Sequence, residues 1–215
     1  MEVFRYGEAE VAYLAARDPK LAEVMTTIGH IEREVHPDLF AALVNCIVGQ
    51  QIATKAQATI WNRMLETFGE VTPETMTACS DEELQQVGLT FRKVGYIKGA
   101  AECVRSCKVD LAAVAELPDD EVCRALSALP GIGVWTAEML MLFSMQRPNI
   151  LSWGDLAIQR GLRMVHHHRR ITPELFAKYR RCYAPYGSVA SLYLWKVAGG
   201  AIPDMKDWAP KVGKK

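Results

Sequence analysis

Leu126-Ser127-Ala128-Leu129-Pro130-Gly131-Ile132-Gly133-Val134-Trp135-Thr136-Ala137 joins two stretches of helical periodicity through a Pro-Gly-Ile-Gly turn. Pro130 cannot donate a backbone hydrogen bond, so the first helix ends by that point. Gly131 and Gly133 both permit positive φ and carry no Cβ. The second helix starts at once, with its unpaired N–H groups at its positive end. A helix start flanked by small glycines is a cradle for one phosphate. A bare Gly-x-Gly is more often just a tight turn, so the surroundings must decide.

Working outward, periodicity is helical nearly throughout. In Asp38–Val48 the apolar residues Leu39, Phe40, Leu43, Val44, Ile47 and Val48 recur at steps of three and four, which gives one buried face. Ile60, Met64 and Phe68 continue that pattern in a second helix. Thr72-Pro73-Glu74 reads as an N-cap followed by proline at the first helical position. Ser80-Asp81-Glu82-Glu83 is a capping box, and Gly88 stands where that short helix should stop. Further helices are expected over Lys93–Cys107, from Asp119 or Asp120 to Ser127, over Val134–Met145, from Thr172 to about Cys182, and from Ser188 to about Val197. About nine or ten helices with short connections make an all-α protein. The expectation is a single unit spanning 1–215 with two helical lobes and the hairpin at their cleft. The central lobe would be 36–115, and the other would combine 1–35 with 116–215.

Among the 215 residues, 50% are hydrophobic, enough for a substantial core. No apolar run reaches the ~18 residues that span a bilayer, and the first residues do not read as a secretion signal, so no membrane partner is expected. Cys46, Cys79, Cys103, Cys107, Cys123 and Cys182 are scattered. They make neither a paired CxxC zinc arrangement nor an iron–sulfur quartet, and read as reduced thiols. Net charge is zero, but residues 147–215 carry 13 Lys+Arg against 4 Asp+Glu. A segment that basic faces either a polyanion or solvent beside the acidic remainder. His166, His167 and His168 fall within it and read as solvated or phosphate-facing surface.

Three blocks together resemble the helix-hairpin-helix (HhH-GPD) superfamily of DNA glycosylases. The first is the hairpin, with the L-P-G-[IV]-G-x-x-T-A pattern intact. The second is the loop Arg147-Pro148-Asn149-Ile150-Leu151-Ser152-Trp153-Gly154-Asp155, with Asp155 in the place of the superfamily's aspartate. The third is Ile47-Val48-Gly49-Gln50-Gln51-Ile52, the segment that plugs the duplex. The resemblance spans about residues 35–200. It implies duplex DNA as partner, a phosphate held by Gly131, Ile132, Gly133 and Thr136, and a wedge at Gln51 or Gln50. It also implies one monovalent cation on the backbone carbonyls of Ser127, Leu129 and Ile132. No other cofactor is expected, and no iron–sulfur cluster.

The position two after Gly133 separates the branches. Those that also nick DNA carry a lysine there, which forms a Schiff base with the sugar. Trp135 occupies it here, as in the AlkA/Mag type of 3-methyladenine DNA glycosylase II. In that type the tryptophan lines the base pocket, where an alkylated, cationic purine gains roughly 0.5–2 kcal/mol from an indole face. Trp195 matches the family's second pocket tryptophan, and Met139 stands where an aromatic can occur. Gly187, in Pro185-Tyr186-Gly187-Ser188, replaces an arginine of the family pattern. The larger relatives' N-terminal β-domain has no counterpart, so this resembles the minimal, helical version.

The resemblance therefore implies a monofunctional glycosylase of base excision repair. It would flip out alkylated purines and cleave them hydrolytically with Asp155, without AP lyase activity. A monomer is expected, in the cytoplasm at the nucleoid in a bacterium or in the nucleus in a eukaryote. The competing readings are a non-catalytic binder of DNA structures and a glycosylase for 8-oxoguanine, mismatched or deaminated bases.

Overall fold

Thirteen α-helices occupy residues 2–210, the part of the chain described by the computed structural model. They are α1 Glu8–Arg17, α2 Pro19–Ile28, α3 Leu39–Gly49, α4 Thr54–Phe68, α5 Pro73–Ala78, α6 Asp81–Gln86 and α7 Phe91–Arg105, followed by α8 Leu111–Ala115, α9 Asp119–Ser127, α10 Val134–Phe143, α11 Leu156–His166, α12 Pro173–Tyr183 and α13 Gly187–Ala198. The described residues hold no β-strand, only an isolated antiparallel bridge between Val3 and Glu34. The fold is all-α, as the periodicity predicts. No helix among the described residues is long and apolar enough to cross a membrane.

Local chemistry sets most helix starts. The Thr72 and Ser80 side chains accept from the N–H groups of Thr75 and Glu83 in reciprocal capping boxes. Asp38 caps α3 through the Ala41 N–H at 2.9 Å, and Thr172 caps α12 with Pro173 behind it. The helices α1, α2 and α8 were not expected. The first two are ten residues each, and Asp18-Pro19 both ends one and caps the next. That junction hides two short amphipathic runs inside what reads as one irregular stretch. Helix α8 is a single turn started by Asp110, which accepts from Ala112 and Ala113. Along α4, only Met64 of the expected apolar stripe is fully buried, and Ile60 and Phe68 are half-buried.

The chain divides into two compact units. One combines the residues up to Val35 with those from Gln146 onward, and the other is His36–Met145. The division falls at 145 rather than near 115. Helix α10 packs on both α9 and α3, and its Ala137, Leu140, Met141 and Leu142 are fully or almost fully buried. The hairpin is therefore built into the core of the His36–Met145 unit, with Leu43, Val44, Ile47 and Val48 of α3 and Val94 and Ile97 of α7. Each such side chain contributes about 1.5–3 kcal/mol by leaving water. In the other unit α11 lies along α13, and Leu14, Leu21, Ile158, Leu162 and Leu194 form the core.

Candidate functional site

The hairpin in the His36–Met145 unit runs from the end of α9 to the start of α10. Gly131 lies at φ +78°, and a Cβ there would come within 2.4 Å of the Tyr96 ring. Glycine is thus required twice over, by backbone and by packing. Gly133 differs from the expectation. Its φ is −94°, which any residue adopts, and a Cβ would meet nothing within 4 Å. The fold does not need a glycine at 133. Gly133 is the N-cap of α10, beside N–H groups that lack intrahelical partners. The bare surface suits a group arriving from outside. Thr136 and Ile132 are buried, at 7% and 5% exposure, so their side chains belong to the core and only their backbone could face a ligand.

Trp135, one residue further along α10 than Val134, is 48% exposed. Met139, one turn on, is 6% exposed and packs inward as core. Between α3 and α4, Gln50 turns its amide to the hairpin and donates from Nε2 to the Gly131 carbonyl at 2.8 Å. Gln51 is exposed and lies in the left-handed region at φ +57°.

The other unit holds Asp155 and Trp195. Asp155 is the N-cap of α11, and its Oδ1 accepts from the N–H groups of Ala157 at 2.8 Å and Ile158 at 2.9 Å. It is only 7% exposed. The cap uses one carboxylate oxygen, and the helix end places positive partial charge behind it. The loop leading to Asp155 is fastened to the start of α13. Ser188 Oγ donates to the Arg147 carbonyl and accepts from the Ile150 N–H at 2.9 Å. Ser191 Oγ donates to the Ile150 carbonyl at 2.8 Å. Gly187 allows that approach, since a Cβ would lie 3.0 Å from Asn149 Oδ1. In place of an arginine side chain, the glycine lets the loop backbone close onto α13. None of these anchors was legible in the sequence, because a serine inside a helix gives no sign of which loop it serves.

Trp195 is half-buried and lines a cavity of about 470 Å³ with Ile31, Arg33, Leu192, Lys196 and the turn at Gly199–Ala201. On α11, Arg163 makes a two-pronged ion pair with Asp207, at 2.8 and 2.7 Å. That pairing holds the Asp207 carboxyl below its usual range. Arg163 is thus spent inside the protein, and Lys211, Lys214 and Lys215 of the basic segment lie outside the described residues.

The histidine run is not the solvated surface its composition implies. His167 caps α11 at φ +58°, and this reversal puts His166 and His168 on one side, their rings stacked 5.9 Å apart. His166 Nε2 lies 3.1 Å from Asp18 Oδ2, and both side chains are under one-tenth exposed. The Tyr183 hydroxyl donates to the same Asp18 oxygen at 2.7 Å, and His168 pairs with the Tyr179 hydroxyl at 2.7 Å. No group of three or more His, Cys, Asp or Glu among the described residues could hold a metal ion. The cysteines are free, and burial pushes the Cys46 thiol up to about 11.

Residues 44–185 match the family of HhH-GPD superfamily base excision DNA repair proteins. The chain belongs to this superfamily. It is 31% identical to DNA-3-methyladenine glycosylase 1 of Schizosaccharomyces pombe, over 74% of this chain and 72% of that protein. The crystal structure of a DNA-3-methyladenine glycosidase from Bacillus halodurans superposes with a TM-score of 0.84 at 35% identity, covering 95% of each chain. The S. pombe 3-methyladenine DNA glycosylase in complex with abasic DNA superposes with a TM-score of 0.78 at 26% identity, over 89% of this chain and 97% of that one. The chain spans 58% of the length of DNA-3-methyladenine glycosylase 2 of Escherichia coli.

Proposed function

We propose that this protein is a monofunctional DNA glycosylase of the 3-methyladenine glycosylase II type, which excises alkylated purines from duplex DNA by hydrolysis. The observation that carries the reading is Trp135. It stands exposed just past the phosphate cradle, at the position where a lyase needs an amine. Without that amine the nucleophile is water. An indole face there favours a cationic purine over a neutral one by cation–π attraction. The similarity to proteins named for 3-methyladenine, one of them solved on abasic DNA, supports the same substrate class.

In this reading the hairpin holds a backbone phosphate at Gly133 and the first amides of α10. The target nucleotide rotates out of the stack, at a cost of a few kcal/mol. Gln51 fills the space it leaves, because the Gln50 amide is engaged by Gly131. Trp135 supplies aromatic surface for the base, and Met139 is core rather than pocket wall. Asp155 stabilises the positive charge that builds on the sugar as the bond to the base breaks, and accepts the proton of the attacking water. An alkylated base leaves neutral, so a strong general acid is unnecessary. The chain also fits a monovalent cation in the hairpin. The buried Ser127 hydroxyl has no hydrogen-bond partner, and the backbone carbonyls of Ser127, Leu129 and Ile132 would bind the ion. Such an ion would fix the turn and neutralise one phosphate charge.

The test measures bases released from methylated DNA by mass spectrometry, with borohydride trapping in parallel. The expected result is released 3-methyladenine without a covalent adduct. A trapped adduct would overturn the hydrolytic mechanism, and absence of any released alkylpurine would leave the non-catalytic DNA binder as the better reading.

A further inference from the structure

The segment Gly49–Ile52 is short, partly exposed and conformationally costly, yet side chains of α7 and α4 brace its start and its own Gln50 ties it to the hairpin. Helix α3 ends at Gly49, so its last carbonyls lack intrahelical partners. One of them, the Val48 carbonyl, accepts from Lys93 Nζ of α7 at 2.7 Å. Lys93 is partly buried there, and burial pulls its ammonium below its usual range. Next to it, Gln57 of α4 donates from Nε2 to the backbone and side-chain oxygens of Asn45, both at 3.0 Å. The Gln57 amide presses on Gly49, where a Cβ would lie 2.6 Å from it. On the far side Gln50 is bound to the hairpin carbonyl of Gly131. Between these anchors Gln51 takes φ +57°, which a non-glycine residue holds only where its surroundings over-determine it.

We propose that Gln50 and Lys93 are positioning residues that preset Gln51 for insertion and tie it to the phosphate cradle, so that seating a phosphate on the hairpin places the wedge beside it. Lys93 fixes where α3 stops and Gln50 fixes the loop to Gly131, leaving Gln51 as the one glutamine of the pair aimed outward. The Gly131 peptide is shared by both functions. The N–H of that Gly131–Ile132 peptide donates to the Leu129 carbonyl at 3.1 Å within the turn, and its carbonyl holds the wedge loop. Neither side chain is asked to touch the reacting atoms. This inference rests on the reading of Gln51 as the wedge.

The experiment compares single-turnover excision of one alkylated purine in a matched duplex with excision of the same lesion inside a bubble of unpaired bases. A bubble is already unstacked, so a wedge has little to do there, whereas a general structural defect lowers both. Gln50→Ala and Lys93→Met should each slow duplex excision by about tenfold or more, because small misplacements carry large rate penalties. Bubble excision should stay near wild type, and Lys93→Arg should restore the duplex rate. Gln51→Ala serves as the reference. If it slows the duplex reaction and the other two do not, the positioning role is overturned while the wedge stands. If Gln51→Ala has no effect on the duplex, the wedge reading itself fails and takes this inference with it. Equal losses on duplex and bubble would also overturn it, by marking the contacts as merely structural. Where Gln50→Ala melts below the assay temperature, Gln50→Glu keeps the shape, removes the donor and is read in its place.

Discussion

Gly161 of α11 lies so close to the Leu194 carbonyl of α13 that a Cβ would stand 2.5 Å from that oxygen and 3.0 Å from the Leu194 Cα. Backbone, not a flexible side chain, is what a methyl group would strike. The contact fixes the depth at which α11 sits on α13, and α11 carries Asp155 as its N-cap. Gly161→Ala should therefore force the helices apart. Overpacking of this kind costs about 1–3 kcal/mol, against a helix-propensity gain of ~1 kcal/mol. The expected outcome is a lower Tm together with slower excision, measured by thermal melts and single-turnover kinetics. A Tm at or above wild type would show that α11 tolerates displacement and that the close approach is unimportant.

Gly133→Asp separates fold from function at the hairpin. Aspartate is among the best N-cap residues, the φ of −94° is open to it, and nothing lies within 4 Å of its Cβ. Stability should hold or rise. The added carboxylate would nevertheless sit where a phosphate must approach, and two like charges about 4 Å apart repel by up to ~4 kcal/mol near a protein surface. Affinity for an abasic-site duplex should fall about tenfold or more, equally for all sequences, because phosphate contacts carry no base information. Unchanged affinity at low salt would remove Gly133 from the DNA interface.

The hairpin, the aspartate loop and most helix starts were legible because each is written in adjacent residues, such as Thr72-Pro73 or Pro130-Gly131. The roles of Gly133 and Gly131 were not separable, since glycine looks the same where a turn demands positive φ and where an outside group demands space. The histidine run misled for a related reason. Three consecutive histidines beside arginines read as surface, but Asp18, far away in sequence, turns His166 inward, and the left-handed His167 brings His168 after it. The lobe boundary failed likewise, because α10 is claimed by α3, from nearly a hundred residues earlier. Long-range pairing of this kind leaves no periodic trace.

Acid sensitivity should centre on Asp18. Burial alone would raise its carboxyl, but hydrogen bonds from His166, Tyr183 and the Leu21 N–H outweigh that and hold it below the usual 3.8. A carboxyl depressed in the folded state contributes stability that is fully present above its unfolded value and is lost as pH falls through the folded value. Asp18→Asn should therefore lower Tm clearly near neutral pH. The gap to wild type should narrow below about pH 3.8, as the wild-type carboxyl takes up its proton. A Tm difference that stays constant from pH 7 to pH 3 would show that the charge on Asp18 contributes nothing.

Asp155→Asn tests the chemistry directly. The Oδ1 of Asp155 caps α11 through Ala157 and Ile158, and asparagine ranks with aspartate as a cap. The variant should therefore fold with a Tm within a few degrees of wild type. Removing the charge leaves the developing sugar cation without its counter-ion, a loss of about two to three orders of magnitude in rate when a preorganised electrostatic group is deleted. Binding to an abasic duplex should change little, since phosphate seating and wedge insertion do not use this carboxylate. The three measurements discriminate because a cap, a DNA contact and a catalytic charge would move different ones. Wild-type excision by Asp155→Asn on methylated DNA would reduce Asp155 to a helix cap and sink the mechanism. Lost binding with normal folding would make it a DNA contact instead.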